Sequence, residues 1–453
     1  MSEFVDEMLG KMMGGHEPSD SNGSTARCSF CGKKGGKDSL LVMSRSSKGI
    51  FICKDCIDSY HMKLQEEEKS STGAKNFQKT IEGQKARIAP PVRIKKFIDD
   101  YVIGQETAKK TIAVSIYNHY KMVNMKHDLA ESGNKDAGLD LSKSNLLIVG
   151  PSGSGKTHLL RVVARMLNIP FVIEDACSFT ASGYVGRDVE TMLRDLVDAA
   201  GGNIKAAERG IIYIDEIDKI SRKGENPSTT SDPGNEAVQQ GLLKLIEGNV
   251  VEVPVKGQRN HPQAETIKVN TENILFIVGG SFEGIEKIIS KRVHKSAGRI
   301  GFFGETRNMH EQFNDLILEI STDDLRKFGM LPEFLGRLPV ICPMQELTED
   351  ELVRILTEPK DAIVRQYRML MGADGITLEF TDEALRKVAK EAIERKVGAR
   401  GLRSIIEKIL RPIMYSAPTD NDLESVVIDA GTDSEENYKV IRNYRNTADA
   451  MEA

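Results

Sequence analysis

Residues 145–157 read NLLIVGPSGSGKT, and this stretch decides the fold. Asn145–Val149 is a short apolar run bounded by a Gly-rich turn, the pattern of a buried strand. It feeds Gly150, Pro151, Ser152, Gly153, Ser154, Gly155, Lys156 and Thr157, which spell G-x4-G-K-T. Glycines at these places let successive backbone N–H groups converge on phosphate oxygens. Lys156 then reaches β- and γ-phosphates, and the Thr157 hydroxyl holds Mg2+. The following HLLRVVARMLN is apolar at Leu159, Leu160, Val163, Met166 and Leu167, a helical period. His158 and Leu159 stand at the start of this helix, whose N-terminal partial charge favours phosphate. They complete the expected nucleotide set. A chance match in a Gly/Ser loop would lack the strand–loop–helix order.

A second run, GIIYIDEID at 210–218, turns a binder into a hydrolase. Ile211–Ile214 is a buried strand with two acids at its C-terminal end. Asp215 is the expected Mg2+ ligand through the ion's water shell. Glu216 is the expected residue that orients and polarises the attacking water. Further strand-like runs are Phe171–Ile173, Asn273–Val278 and Leu338–Ile341. Such runs, separated by helical stretches, predict an α/β fold with a parallel sheet.

The whole chain has 453 residues, which at roughly 100–200 residues per domain allows two to four domains. Its net charge of −5 gives no basic field, so a nucleic-acid partner is not expected. No apolar run approaches the ~20 residues of a membrane span, and the start MSEFVDEMLG lacks the layout of a signal peptide. A cytoplasmic protein with no membrane partner is the expectation.

Four of the six cysteines cluster at the N-terminal side. Cys28 and Cys31 form one C-x2-C pair, Cys53 and Cys56 another, with 21 residues between the pairs. Each pair can form a turn that aims two thiolates at one point, and two turns complete a tetrahedron around Zn2+. Two disulfides of a secreted module are the alternative, which the missing signal peptide disfavours. With all four positions filled by protein, such a site is structural. Residues 24–62 are too few to bury an adequate core, so the metal must supply folding energy. Residues 1–23 read as disordered and 63–89 as a flexible tether, ending at Pro90–Pro91. Cys177 and Cys342 are expected as core residues beside strands.

Gly183-Tyr184-Val185-Gly186 places an aromatic-aliphatic pair between glycines, which predicts a mobile tip bearing grip. Ile300-Gly301-Phe302, flanked by Gly298 and Gly304, is a costly surface unless it has a partner.

The ordered motifs resemble the AAA+ ATPases and, within them, the ClpX unfoldases. The resemblance runs from Cys28 to about residue 430. It rests on the four-Cys module, DDYVIGQ at 99–105, GPSGSGKT, GYVGRD at 183–188, IIYIDEIDKI, QQGLLKLIEG at 239–248, NILFIVGGSF, RIGFFGE, PEFLGRLP at 332–339 and GARGLR at 398–403. It implies a large ATPase domain over 90–345, a small mostly helical domain over 346–430 and a polar, frayed tail over 431–453. It implies that Val102, Ile103, Gly104 and Gln105 flank adenine, that Arg337 is a finger offered to a neighbouring subunit, and that Arg400 reads the nucleotide in cis. For the family's first sensor, which follows the NILFIVGG strand, Ser281 is a candidate.

The resemblance further implies a homohexameric ring whose axial pore is lined by Tyr184 and Val185, with Arg259 and His261 at the entrance. It implies docking of Ile300–Phe302 on a ClpP-type peptidase, and a zinc module that receives tagged substrates and adaptors. Two places depart from the family pattern. Arg259-Asn260-His261 has one positive charge fewer, and the second pore loop near 227–237 lacks its basic residue and carries Pro233. Recognition of acidic tags is the property these departures touch. A nucleic-acid motor of the same class would need a basic face, and a degenerate scaffold would not keep Lys156, Asp215, Glu216, Arg337 and Arg400.

Overall fold

The structure, a computed structural model, describes residues 27–29, 31, 41–43, 51–53, 56, 88–131, 143–179, 187–221, 233–254, 266–296, 309–431 and 438–445. The chain divides into two compact units, Met1–Lys79 and Thr80–Ala453. The first unit contains a hairpin of β1 (Leu41–Met43) and β2 (Phe51–Cys53), antiparallel with Leu41 opposite Cys53.

The first helix among the described residues of the second unit is Pro91–Asp99, with Pro91 in its first turn. Proline suits that position because the N–H it lacks would have no helical partner there. A long helix, Glu106–Glu131, follows. The strands are then β3 (Leu146–Val149), β4 (Phe171–Asp175), β5 (Ile211–Asp215), β6 (Val250–Pro254), β7 (Thr266–Asn270), β8 (Leu275–Gly280) and β9 (Val340–Pro343). Five of them form one sheet in the order β4-β5-β8-β3-β9, and every neighbouring pair is parallel. β6 and β7 make a separate antiparallel ribbon. β3 and β8 are buried along their whole length, which explains why they read as unbroken apolar runs. Ile94, Ile98, Ile112, Leu146, Leu159 and Tyr213 belong to one core that joins the first helices to the sheet.

The remaining residues build a smaller layer around a second core that includes Leu352, Leu356, Leu385, Leu402, Ile406 and Val426. Helices Glu349–Thr357 and Ile363–Ala373 flank Pro359, where the sequence allows a break. β10 (Thr377–Phe380) leads to the helix Asp382–Glu394, whose N-cap Thr381 accepts from Ala384 N. Helix Ala399–Ser416 and β11 (Leu423–Asp429) complete the expected order.

The frayed tail expected after 431 is corrected over one stretch. Lys439–Tyr444 is a strand, β12, paired antiparallel with β11. All six of its residues are exposed, so no burial pattern marks it; backbone pairing and the β-preference of Val440, Ile441 and Tyr444 hold it.

Among the described residues, no helix is long and apolar enough to cross a membrane. Gly183–Gly186, Arg259, His261 and Ile300–Phe302 lie outside the described residues. So do 227–232 of the second pore-loop stretch, whereas Pro233 opens a helix that runs to Glu247.

Candidate nucleotide site and metal centre

The parallel sheet brings three chain reversals to one edge. β3 ends in the Gly150–Thr157 loop, β5 ends at Asp215, and β8 ends at Gly280. Val149 stands beside Gly280 in the register, and Asp215 beside Asp175. The C-terminal edge of a parallel sheet is where such folds bind ligands.

The loop is shaped for an anion. Gly153 and Gly155 take positive φ values of 79° and 97°. A side chain at Gly155 would meet nothing within 4 Å, so the loop is open there. The helix Lys156–Leu167 has Gly155 as N-cap with no side-chain cap, which leaves its first N–H groups for an external acceptor. The Ser154 hydroxyl is buried without a hydrogen-bond partner. Lys156 is buried, and its ammonium donates to Gly150 O at 2.7 Å and Pro151 O at 3.0 Å. Burial pushes its pKa below the ordinary lysine value, while Asp215 and Asp218 pull it back up. A cation this poorly hydrated gains much from a polyphosphate.

Thr157 Oγ1 donates to Asp215 Oδ2 at 2.8 Å. The two residues predicted to hold Mg2+ therefore meet, although 58 positions separate them in sequence. Glu216 is the next residue and sits at φ 58°, ψ 31°, a left-handed conformation rare for glutamate. Strained backbone of this kind clusters at functional sites. Asp215 Oδ1 accepts from Glu216 N at 2.9 Å, which braces the turn.

Two neighbours of this acidic turn were not legible as site residues. Asp218 is buried and accepts from Ser281 N at 2.9 Å and Ser281 Oγ at 3.0 Å. Its spacing of three from Asp215 was the available signal. The pair ties the end of β8 to the acidic turn, which gives Ser281 a place beside it. Cys177 corrects the core expectation. It is exposed, in a turn capped by Asp175, with its thiol 3.9 Å from Glu216 Oε2. Partial desolvation in this turn, with the carboxylates of Asp175 and Glu216 close by, pushes the thiol up to about 11. Cys342 is buried as expected.

Val102 and Ile103 are buried and help line a cavity of about 660 Å3, together with Gly104, Glu351 and Arg354. Val102 also belongs to the core of the large layer. Gly104 has a positive φ of 66°, where a side chain would be strained, and a Cβ there would also press on the flexible end of Glu351, 2.3 Å from Oε1. The Gln105 amide is fully engaged with backbone, donating to Gln345 O at 2.8 Å and accepting from Gln345 N at 3.0 Å. It supports the loop rather than presenting a free polar group. His158 is exposed, with Nε2 3.3 Å from Tyr101 O. The Leu159 side chain is wholly in the core.

Arg400 is exposed in the first turn of the helix Ala399–Ser416, and its charge is felt at Lys156. Arg337 is not brought to the loop of its own chain; it pairs with Glu247 at 2.9 Å. Around the undescribed 180–186, Phe179 and Arg187 form a β-bridge, and Arg187 donates to Glu174 Oε2 at 3.0 Å and contacts Asp195.

In the first unit, the sulfurs of Cys28, Cys31, Cys53 and Cys56 all lie within 4.8 Å of one another. Cys28–Cys56 and Cys31–Cys53 are 3.9 and 3.5 Å apart. A tetrahedron with Zn–S of about 2.3 Å has sulfurs roughly 3.8 Å apart, and a disulfide needs about 2.05 Å. These separations rule out disulfides between the pairs and fit four ligands of one Zn2+. The hydrogen bond with Cys31, reinforced by burial, pushes the Cys56 thiol up to about 12. Thiolates so crowded need a cation.

Three family models match the chain. They are the ClpX C4-type zinc finger over 26–66, the AAA domain of the Cdc48 subfamily over 141–341, and the C-terminal D2-small domain of ClpB protein over 347–428. Over 420 residues, the chain is 42% identical to the ATP-dependent Clp protease ATP-binding subunit ClpX 3 of Methylococcus capsulatus, covering 91% of this chain and 94% of that relative. The chain belongs to the ClpX family. Its four cysteines form that family's zinc finger, and ATP with Mg2+ are the ligands of its AAA domain.

Proposed function

We propose that this ClpX-family chain is an ATP-driven protein unfoldase and translocase that works as a ring and serves a ClpP-type peptidase. The observation that carries the ATPase part is the hydrogen bond between Thr157 and Asp215 beneath the buried Lys156. In this reading residues 90–345 are the large ATPase domain, 346–430 the small one, and 24–62 the zinc module that receives substrates and adaptors. A cytoplasmic location belongs to the same reading.

Lys156 and the loop N–H groups bind the β- and γ-phosphates, while Val102, Ile103 and Gly104 border the purine. Thr157 and Asp215 hold Mg2+, which when bound neutralises charge on the phosphate oxygens. Glu216 orients water and accepts its proton. Arg337 reaches a neighbour's γ-phosphate, and Arg400 reads the nucleotide within its own chain. Tyr184 and Val185 grip an extended polypeptide by van der Waals contact, which needs no sequence readout. Arg259 and His261 receive the tag, and Ile300–Phe302 dock on the peptidase.

Glu216→Gln tests the chemistry. It should bind ATP with near-normal affinity and hydrolyse it about 10²–10⁴-fold more slowly. Unchanged turnover overturns the assignment. Tyr184→Ala should keep ATP hydrolysis and lose unfolding of a stable tagged protein. Deleting Ile300–Phe302 should spare unfolding but abolish degradation with a ClpP-type peptidase.

A further inference from the structure

Arg337 is held at three points, and two of them come from a single helix. The short helix Pro332–Gly336 ends at Arg337, its C-cap. At the start of this segment, Leu331 N donates to Gln239 Oε1 at 3.1 Å. Gln239 is fully buried and also donates through Nε2 to Ile220 O at 2.8 Å. Ile220 closes the short helical turn that follows Glu216. At the end of the segment, Asn145 Nδ2 donates to Arg337 O at 3.1 Å, and Asn145 Oδ1 accepts from Phe276 N at 3.2 Å. Asn145 is buried as well. The backbone that carries Arg337 is thus fixed to the helix Pro233–Glu247, to the acidic turn and to the start of β8.

The side chain has its own holder. Glu247 is the last residue of the helix that carries Gln239. Its Oε1 accepts from Arg337 Nη2 at 2.9 Å. The contact uses one of the five guanidinium N–H groups, so the others stay free for a second anion. The guanidinium side chain is 55% exposed and that of Glu247 35%. An ion pair this wet adds little to stability, on the order of 0–1 kcal/mol. Its effect lies elsewhere. An arginine side chain has several rotatable bonds, and holding it in one direction before it meets a phosphate lowers the ordering cost at that moment.

We propose that Glu247 is a positioning residue for Arg337: it aims the guanidinium outward from its own chain so that the remaining N–H groups meet a neighbouring subunit's γ-phosphate. Gln239 and Asn145 fix the backbone, and Glu247 fixes the direction. The inference rests on the reading of Arg337 as a finger acting in trans, and the test separates the two.

The experiment measures steady-state ATP hydrolysis of the assembled full chain, with kcat and KM for ATP determined separately. It compares Glu247→Gln, Glu247→Asp, Arg337→Ala and the Arg337→Ala/Glu247→Gln double variant. Thermal unfolding and sedimentation report folding and assembly. Glu247→Gln should lower kcat about two- to fivefold, in keeping with the modest strength of an exposed pair, leave KM within about twofold, and leave the melting temperature and assembly unchanged. Glu247→Asp, which keeps the charge, should recover part of the rate. In the Arg337→Ala background, Glu247→Gln should have no further effect. If Arg337→Ala itself hydrolyses ATP normally, the finger reading fails. If Arg337→Ala is impaired but Glu247→Gln turns over at the normal rate, the positioning role of Glu247 is overturned. An equal loss from Glu247→Gln with and without Arg337 overturns it too.

Discussion

Gly153 of the phosphate loop and Gly398, just before the helix that carries Arg400, lie against each other. Ala399 N donates to Gly153 O at 3.2 Å. A side chain on Gly153 would come within 2.5 Å of Val397 O, and one on Gly398 within 3.2 Å of Gly153 Cα. Both have positive φ, 79° and 53°. The Gly150–Thr157 loop and the smaller layer therefore touch through two residues without side chains.

Gly398→Ala should part these surfaces. Strain and crowding together should cost about 1–3 kcal/mol of stability. ATP affinity should fall by roughly tenfold, as the Arg400 helix retreats from the loop. Gly375→Ala is the control: its φ is also positive, at 75°, but the nearest atom to a new side chain is Arg445 Nη2 at an ordinary 3.5 Å. It should lose some stability and keep its ATP affinity. Thermal unfolding and nucleotide titration of both variants check this. Normal ATP binding by Gly398→Ala would show that the contact is incidental.

Asp218 and Ser281 give a prediction of order. Asp218→Ala leaves the Ser281 N–H without its acceptor at a partly buried site, which should cost about 1–3 kcal/mol. Ser281→Ala removes one hydroxyl bond and keeps the backbone one, for about 1 kcal/mol. Denaturant unfolding that ranks the two in the reverse order would refute this account of how β8 is tied to the acidic turn.

What the sequence showed and what it hid have physical reasons. The strand–loop–helix at 145–167 was legible because glycines, a lysine and an apolar period all act locally. The zinc module was legible because ligand spacing carries its geometry. β12 was not, because all six residues of Lys439–Tyr444 face solvent and no period betrays them. Cys177 was misplaced because a thiol beside a strand usually enters the core, whereas here a turn capped by Asp175 aims it at Glu216. The partners of Arg337 were hidden for another reason: Glu247, Gln239 and Asn145 lie 90, 92 and 192 positions away or from its helix start. Only the assembled sheet brings them together.

Removing zinc should act on the first unit alone. Chelation, or Cys53→Ser, should release one Zn2+ per chain in a thiol-displacement assay and collapse the hairpin around Cys53. Nucleotide binding by Thr80–Ala453 expressed separately should be unchanged, since that stretch holds its own cores. Retention of zinc by Cys53→Ser would show that the four sulfurs are not the site.

The pH dependence of stability should show two windows on the alkaline-favouring side. His119 is buried, with Nε2 3.1 Å from Asn273 O, so Nε2 carries the proton and Nδ1 faces no partner. Burial pushes its pKa down from 6.5 to about 4, and the charges of Lys143 and Lys126 add to this. Below about 6.5 the unfolded chain binds a proton that the folded chain refuses. Stability should therefore fall as pH drops from about 6.5 to about 4, by about 3 kcal/mol in all. Lys143 donates to Thr271 O at 2.9 Å, and burial lowers its pKa from 10.5 to about 7. Here too the unfolded chain binds the extra proton, so stability should rise as pH increases from about 7 to 10.5. His119→Gln keeps a donor for Asn273 O and should flatten the acid window alone, whereas Lys143→Met should flatten the alkaline one. Unfolding free energies across both ranges decide it: an unchanged acid slope in His119→Gln means that another buried group sets the acid limit.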